Sequence, residues 1–210
     1  MAFDIKAFDE KRYSQFGEDG ITHALIRRLD PPHSFLEIGC GDGTENCTRI
    51  LTDFKWTGLW VDRDPANASL AIEVGTPLGV RVICAHVSLS NIAFYQGQVP
   101  QELGVLSIDV DGNDYHLWKG LCVGPYALRP YIVIIEALIV NEDGFRSDDD
   151  YYVMPYIPEY VWDQRDHSSG STVAALKTLG GELGYTYLGR PANPHSPNCF
   201  FIRNDLLERL

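Results

Sequence analysis

The segment Glu37–Gly43 has the composition of a loop that binds a nucleotide cofactor. It reads EIGCGDG, with three glycines at alternate positions after an apolar stretch. Glycine allows a sharp backbone turn and lets a ligand approach the main chain without a Cβ atom in the way. The unpaired N–H groups of a helix that starts after this turn would face a polar or negative ligand. The segment therefore predicts a strand, a glycine turn and a helix start around a cofactor.

An acidic residue at the end of the next predicted strand indicates the same function. Asp62 closes the apolar run Gly58–Asp62. In nucleotide-binding α/β folds, a carboxylate at the tip of the second strand accepts hydrogen bonds from the hydroxyls of an adenosine ribose. We therefore expect Asp62 to bind the ribose of the cofactor.

Two classes of cofactor fit a glycine loop followed by such a carboxylate. Dinucleotides bind to the pattern G-x-G-x-x-G, in which a helix N-terminus faces the pyrophosphate. This chain has G-x-G-x-G, and Glu37 stands two residues before the first glycine. A carboxylate beside the loop repels a pyrophosphate and attracts the cationic methionine end of S-adenosylmethionine. The sequence favours an S-adenosylmethionine-dependent methyltransferase; an NAD-dependent oxidoreductase and a cofactor-binding scaffold protein without turnover are the alternatives.

A second acidic group occupies residues 109–114, which read DVDGND. It follows the fourth predicted strand, and open α/β sheets bind ligands at the carboxyl ends of their strands. The string imitates the start of an EF-hand calcium loop. However, the sixth position is Asp114 instead of glycine and the twelfth is Gly120 instead of glutamate, so a calcium loop is rejected.

Three roles remain open for these carboxylates. In the first, Asp109 or Asp111 is a general base that takes the proton from a substrate hydroxyl during methyl transfer. In the second, Asp109 and Glu136, which ends the fifth predicted strand, hold a divalent cation such as Mg²⁺, with Asp111 or His167 as a further ligand. In the third, the acidic group only caps the following helix.

The residues around the last predicted helix add a further candidate. His167 precedes that helix and is placed for proton transfer near neutral pH, although an exposed histidine without a role is an equal alternative. Ser171 is expected to cap the helix. Tyr151, Tyr152 and Trp162 would either stack on sugar faces or hold their own segment by aromatic packing.

An alternation of strands and helices positions these residues. Strands are predicted at Ser34–Ile38, Gly58–Asp62, Val80–Cys84, Val105–Val110, Ile132–Glu136, Thr186–Leu188 and Cys199–Arg203. Helices are predicted at Glu18–Leu29, Thr44–Phe54, Ala66–Val74, Tyr115–Gly120 and Ser171–Gly184. Such βα units with nearly continuous apolar strands predict an α/β fold: a mostly parallel sheet with helices on both faces. The last two strands are expected to form an antiparallel pair at one edge.

Residues 140–169 break this alternation. They include three consecutive aspartates, several aromatic residues, Pro155 and Pro158. A long segment without periodicity in a compact domain is typical of a lid or a substrate loop. We expect a single domain over residues 1–210, with an N-terminal helix at about 14–30 and this insert beside the substrate.

The composition of the chain narrows its partners and its location. The formal net charge is -12, and the longest basic cluster is Arg27-Arg28, so a nucleic-acid substrate is disfavoured. We expect neither a signal peptide nor a membrane span, because no segment has the required apolar run. Five widely spaced cysteines predict buried, reduced thiols and a cytoplasmic protein. A homo-oligomer is compatible with these features.

Longer motifs resemble one branch of the class I methyltransferases. The loop Glu37–Gly43 is similar to the first motif of that superfamily. Further strings resemble the FkbM type: SQFGEDG at 14–20, LSIDVDGND at 106–114, IIE at 134–136, GS at 170–171 and NCFFIR at 198–203. The resemblance implies a Rossmann-like, seven-stranded sheet in the order 3-2-1-4-5-7-6 with strand 7 antiparallel. It also implies O-methylation of a sugar, a nucleotide-sugar or a surface-polysaccharide intermediate.

The resemblance further assigns residues to the cofactor, although the insert at 140–169 departs from the family pattern. It implies that Glu37, Gly39 and Gly41 line the methionine part of the cofactor, that Asp62 binds the ribose, and that Ala85 and His86 lie near the adenine. It also implies that Gln15 closes over the cofactor. We expect Asp109 to contact the cofactor as well.

Overall fold

The computed structural model describes residues 3–137, 150–163 and 168–210. The described strands are β1 (Ser34–Ile38), β2 (Thr57–Asp62), β3 (Val80–Cys84), β4 (Val105–Ile108), β5 (Ile132–Glu136), β6 (Tyr185–Gly189) and β7 (Asn198–Arg203). They form one sheet in the order β3-β2-β1-β4-β5-β7-β6. The first five strands are parallel, and β7 pairs antiparallel with both β5 and β6. The predicted strand order is therefore confirmed.

Helices cover both faces of this sheet, as predicted. The α-helices are α1 (Glu18–Leu29), α2 (Pro65–Gly75), α3 (Ile92–Gln96), α4 (Asp114–Leu121) and α5 (Val173–Leu183). Helices α3, α4 and α5 pack in the hydrophobic core on one face of the sheet. Helices α1 and α2 pack in the core on the other face, together with the 3₁₀ helix Arg49–Phe54.

Strand β1 shows how the sheet presents side chains to both layers. All five of its residues are buried, as expected for a central strand of a parallel sheet. Leu36 and Ile38 enter one core, and Phe35 enters the other. Because side chains alternate along a strand, Glu37 shares the face of Phe35, beneath α1 and α2. Its carboxylate therefore meets the segment that follows the glycine loop.

The prediction of a helix over Thr44–Phe54 was wrong in its first half. Residues 41–48 form turns and bends, and only the 3₁₀ helix Arg49–Phe54 follows. The backbone N–H groups of Cys47 and Thr48 donate to the Glu37 carboxylate, which holds the segment in a non-helical course. The expectation that a helix start faces the cofactor from this loop was therefore also wrong.

Two further local expectations are corrected. Thr172, and not Ser171, caps α5, because its Oγ1 accepts a hydrogen bond from the N–H of Ala175. The short helix α3 was missed, since five residues are too few to show a helical period.

The cysteines and the helices are the features from which a cytoplasmic location was predicted. None of the five cysteines forms a disulfide, and Cys84 is exposed, so the expectation of buried thiols was wrong for that residue. Within the described parts of the chain, no helix has both the length and the apolar character needed to cross a membrane.

The packing of α5 against β7 predicts opposite effects for two adjacent glycines. A Cβ atom at buried Gly180 would lie 2.9 Å from the Phe201 ring and 3.2 Å from Trp118, whereas one at Gly181 would meet nothing within 4 Å. We expect Gly181→Ala to raise the free energy of unfolding by up to about 1 kcal/mol, because alanine favours helix. We expect Gly180→Ala to be less stable than Gly181→Ala by about 1–3 kcal/mol, because of overpacking. Urea denaturation of both variants measures the difference, and equal stability would contradict the described packing.

Candidate active site

A groove runs along the carboxyl ends of the parallel strands. It consists of a cavity of about 180 Å³ beside the ends of β2 and β3 and one of about 550 Å³ beside β1, β5 and the start of β7. The two cavities share the lining residues Gly39, Asp62, Asn67, Asp109, Asp111 and Trp162. They are therefore two halves of one groove, which we call the smaller half and the larger half.

The glycine loop lies between these halves. Gly39 has a φ of +86°, and a Cβ atom there would lie 1.6 Å from the carbonyl oxygen of Asp109, so the ends of β1 and β4 require glycine. Gly41 has a φ of +56°, and a Cβ atom there would meet nothing within 4 Å. Its open side borders the larger half, so a ligand can contact the main chain at this point.

The Glu37 carboxylate organises the segment behind the loop. It is 2% exposed and accepts hydrogen bonds from Asn46 Nδ2, from the N–H groups of Cys47 and Thr48, and from Thr48 Oγ1. Burial raises the pKa of Glu37, and the hydrogen bonds from Thr48 and Asn46 oppose that shift. Glu37 also lines the larger half of the groove. The residue that was predicted to attract the methionine end thus has a structural task as well.

Asp62 joins the glycine loop to α2. Its Oδ2 accepts a hydrogen bond of 2.8 Å from the N–H of Gly41, and its Oδ1 accepts one of 2.9 Å from the N–H of Asp64. A carboxylate oxygen can accept more than one hydrogen bond, so both oxygens keep capacity for ribose hydroxyls. Asp62 lines both halves of the groove, at the strand tip where the ribose is expected.

Ala85 and His86 line the smaller half, in the place predicted for the adenine. The ring atom His86 Nε2 is buried and has no hydrogen-bond partner among the described residues. An unpaired buried polar atom costs about 1–3 kcal/mol, and this atom is a ready partner for a polar edge of a ligand. The smaller half thus has a free hydrogen-bonding group where a purine base would need one.

The N-terminal motif SQFGEDG builds the rim of the larger half. Asp19 Oδ2 accepts hydrogen bonds from the N–H groups of Arg12, Tyr13 and Ser14 and from Ser14 Oγ, at 2.6–2.8 Å. These bonds fix the loop that carries Gln15, whose exposed side chain lines the larger half. Asp19 therefore has a structural role, and Gln15 is the residue that its loop presents to the groove.

The acidic strand ends meet in the groove. Ligand atoms of Asp109, Asp111 and Glu136 all lie within 4.8 Å of one another. Burial raises the pKa of Asp109 and of Glu136, and the neighbouring carboxylates raise both further. Burial also raises the pKa of Asp111, which the positive charge of Arg63 opposes. Asp111 has a left-handed φ of 58°, an uncommon conformation for a residue other than glycine.

Asp114 has a different part in this acidic string. Its carboxylate oxygens accept hydrogen bonds from the N–H groups of Val110 and Gly112, so it shapes the turn that carries Asp111. Burial raises the pKa of Asp114 to about 6. Asn113, the N-cap of α4, makes no side-chain capping bond and instead contacts the main chain of Ile157.

The described part of the insert lies over the groove. Arg63 Nη1 donates a hydrogen bond of 2.6 Å to the carbonyl oxygen of Tyr160, and His116 Nε2 lies 2.7 Å from that of Met154. Trp162 lines both halves, whereas Tyr151 is an exposed residue outside their linings. His167, the predicted proton-transfer residue, lies outside the described residues, as do positions 138–149.

Sequence reasoning missed two asparagines of the groove. Asn67 lines both halves from the first turn of α2, and Asn198 lines the larger half from the first position of β7. The N-cap Asp64 followed by Pro65 marks the start of α2 at the end of β2, and this signal could have placed Asn67 in the groove. Asn198 is the first residue of the motif NCFFIR, but its place in the groove depends on the register in which β7 pairs with β5.

Several solved structures that are similar to this chain are methyltransferases. The chain is similar to the SAH-bound methyltransferase PaMTH1 of Podospora anserina, at 14% identity over 90% of this chain and 79% of that chain, with a TM-score of 0.54. It is also similar to an O-methyltransferase of Bacillus cereus in complex with SAH, at 14% identity over 94% and 83%, with a TM-score of 0.56. The fold is that of class I methyltransferases.

A third similar structure belongs to a longer protein, of which this chain matches only a part. The bifunctional kinase-methyltransferase WbdD matches at 14% identity and a TM-score of 0.51, over 89% of this chain. This chain spans only 38% of that protein. No protein-family model and no curated protein matches the sequence. At these identities the likeness of structures shows the class I methyltransferase fold alone.

The contacts of Glu37 generate a prediction for stability. In the wild type, both carboxylate oxygens of Glu37 accept hydrogen bonds. In Glu37→Gln an amide NH₂ group replaces one of these oxygens, so at least one buried donor loses its partner. We expect the free energy of unfolding to fall by about 1–3 kcal/mol. Glu73→Gln makes the same chemical change at an exposed position of α2, and we expect it to stay within about 0.5 kcal/mol of the wild type. Urea denaturation compares the two variants, and an unchanged stability of Glu37→Gln would contradict the described contacts.

Proposed function

We propose that this protein transfers a methyl group from S-adenosylmethionine to an oxygen of a small polar acceptor. The observation that carries the proposal is that one groove collects every residue assigned to the cofactor from the sequence. These are Gln15, Glu37, Gly39, Gly41, Asp62, Ala85, His86 and Asp109.

The groove offers a partner for each part of this donor. The unpaired Nε2 of His86 suits the adenine, the Asp62 carboxylate suits the ribose, and the open face of Gly41 suits the methionine chain. Carboxylates beside that face attract the cationic end of the donor. Class I methyltransferases of known structure that resemble this chain were solved with the product SAH, which agrees with this assignment.

The main alternative, an NAD-dependent oxidoreductase, fits the groove less well. A dinucleotide needs a helix N-terminus behind the glycine loop for its pyrophosphate. Residues 41–48 form turns instead, and their N–H groups at 47 and 48 are occupied by Glu37. Asp42 and Glu45 also line the larger half and would repel a pyrophosphate.

The charge of the groove favours a neutral acceptor. Carboxylates line the larger half, and no lysine or arginine occurs among its described lining residues. A nucleotide-sugar would bring its phosphates against these carboxylates, whereas a neutral sugar hydroxyl can donate hydrogen bonds to them. Trp162 offers an aromatic face of the kind that packs on sugar rings. The motif resemblance to the FkbM type also favours a sugar or glycan acceptor.

We further propose that Asp109, Asp111 and Glu136 hold a divalent cation. Their oxygens are close enough to share one ion, and hard cations such as Mg²⁺ prefer carboxylate oxygens. When bound, the cation lowers the pKa of an acceptor hydroxyl, and S-adenosylmethionine supplies the methyl group. The three side chains position the acceptor hydroxyl at the end of the sheet, beside the residues proposed to bind the donor.

A metal-free general base is the second candidate for this step. Burial and neighbouring carboxylates raise the pKa of Asp109, which makes it a stronger base than an exposed aspartate. In that mechanism Asp109 accepts the proton of the acceptor hydroxyl as the methyl group transfers.

Donor binding gives the first test. We expect isothermal titration to show binding of S-adenosylhomocysteine and none of NAD. In Asp62→Ala the affinity should fall at least about tenfold, because charged hydrogen bonds to ribose contribute about 1.5–3 kcal/mol. Asp205→Ala, an exposed residue outside both halves of the groove, is the control and should bind normally. Tight binding of NAD without response to the homocysteine compound would overturn the methyltransferase proposal.

Metal removal tests the catalytic role of the acidic cluster. With a labelled donor and a panel of neutral sugars and glycans, we expect exhaustive chelation to suppress methyl transfer and added Mg²⁺ to restore it. Full activity after chelation would reject the cation and favour Asp109 as the base. If the protein binds the donor product but methylates no acceptor in the panel or in cell extract, the scaffold alternative gains instead.

A further inference from the structure

Asn198, the first residue of β7, carries an unused hydrogen-bond acceptor next to the acidic cluster. The residue is 3% exposed, and its Oδ1 has no hydrogen-bond partner among the described residues. Leaving a buried carbonyl oxygen unpaired costs about 1–3 kcal/mol, so a ligand in the cavity that pairs with this oxygen would be stabilised. Asn198 lines the larger half of the groove, together with Asp109, Asp111 and Glu136.

Strand pairing sets Asn198 beside Glu136. The two residues face each other in the antiparallel pair of β5 and β7. Side chains that are directly opposite in such a pair lie on the same face of the sheet, with Cα atoms about 4.5–5.5 Å apart. The amide of Asn198 is therefore a neighbour of one of the three carboxylates that we assign to the cation.

The orientation of this amide is set by the N-terminal motif. Asn198 Nδ2 donates a hydrogen bond of 3.0 Å to Glu18 Oε1, which also accepts one of 2.9 Å from Ser196 Oγ. Glu18 Oε2 accepts a hydrogen bond from the N–H of Phe16, so the whole carboxylate is held in place. Because Nδ2 is directed to Glu18, Oδ1 must lie on the other branch of the amide.

We propose that Asn198 Oδ1 is a fourth oxygen ligand of the cation held by Asp109, Asp111 and Glu136, and that Glu18 is its positioning residue. This inference rests on the cation site of the proposed function. Amide carbonyl oxygens are common ligands of hard cations. A neutral oxygen also completes the ligand set without adding charge to a cluster that already holds three carboxylates. The site then draws oxygens from the ends of three neighbouring strands, β4, β5 and β7.

Titration of the full chain with Mn²⁺ alone tests this ligand. We expect the wild type to bind Mn²⁺ and Asn198→Ala to bind it at least about tenfold more weakly. Asn198→Asp, made together with Glu18→Gln so that an amide N–H and not a second carboxylate faces the new carboxylate, keeps an oxygen at the same place and should keep an affinity closer to that of the wild type. Glu18→Gln should weaken Mn²⁺ binding by a smaller factor than Asn198→Ala, since it disturbs only the orientation of the ligand. The control is Asn204→Ala, an exposed asparagine just after the other end of β7, which should bind Mn²⁺ normally.

The outcomes separate this inference from the function on which it rests. Equal Mn²⁺ affinity of the wild type and Asn198→Ala would overturn the role of Asn198 and leave the three carboxylates as the site. Equal losses in Asn198→Ala and in the double variant of Asn198→Asp and Glu18→Gln would also overturn it, because the oxygen would then be irrelevant. If the wild type binds S-adenosylhomocysteine but no Mn²⁺, the cation site and this inference both fail while donor binding stands. Unfolding in urea without metal identifies any variant that loses affinity only because it does not fold, and the double variant then decides.

Discussion

The buried carboxylate of Glu37 is the constraint on which the rest of the site depends. It lies inside the sheet layer and must be satisfied by hydrogen bonds, because an uncompensated buried charge is strongly unfavourable. The donors that satisfy it come from Asn46, Cys47 and Thr48, and they prevent this segment from forming a helix. The glycine loop therefore opens onto a cavity instead of a helix N-terminus. That difference favours a donor with a cationic end over a pyrophosphate.

A second constraint is the concentration of negative charge at the strand ends. Asp109, Asp111 and Glu136 repel one another in a partly buried place, which is unfavourable unless protons or a cation offset it. The repulsion occurs at the carboxyl ends of the parallel strands, where open α/β sheets bind their ligands. Such a place is typical of a functional site, since perturbed carboxylates cluster where chemistry occurs. In the proposed function, the same charges would repel acceptors that carry phosphate.

The N-terminal motif SQFGEDG positions two residues that line the larger half of the groove. Asp19 shapes the loop that presents Gln15, and Glu18 orients the amide of Asn198 at the start of β7. A segment that precedes the sheet in the chain thus positions two side chains of the larger half of the groove. Asp19 and Glu18 need not contact a ligand themselves, because each would affect ligand binding through the residue that it positions.

The sequence by itself determined the strand order, through the family resemblance, and it singled out Gly39, Gly41 and Asp62, which line the groove, through local patterns. Gly39, Gly41 and Asp62 are each recognisable because a glycine turn and a strand-end carboxylate are short-range signals. Only the tertiary structure decided that the segment 44–48 is not helical and that Asn198 stands opposite Glu136. The first depends on hydrogen bonds from residues 46–48 to a buried carboxylate on the preceding strand, and the second on the register of two strands that are distant in the chain; neither is visible in the hydrophobic periodicity.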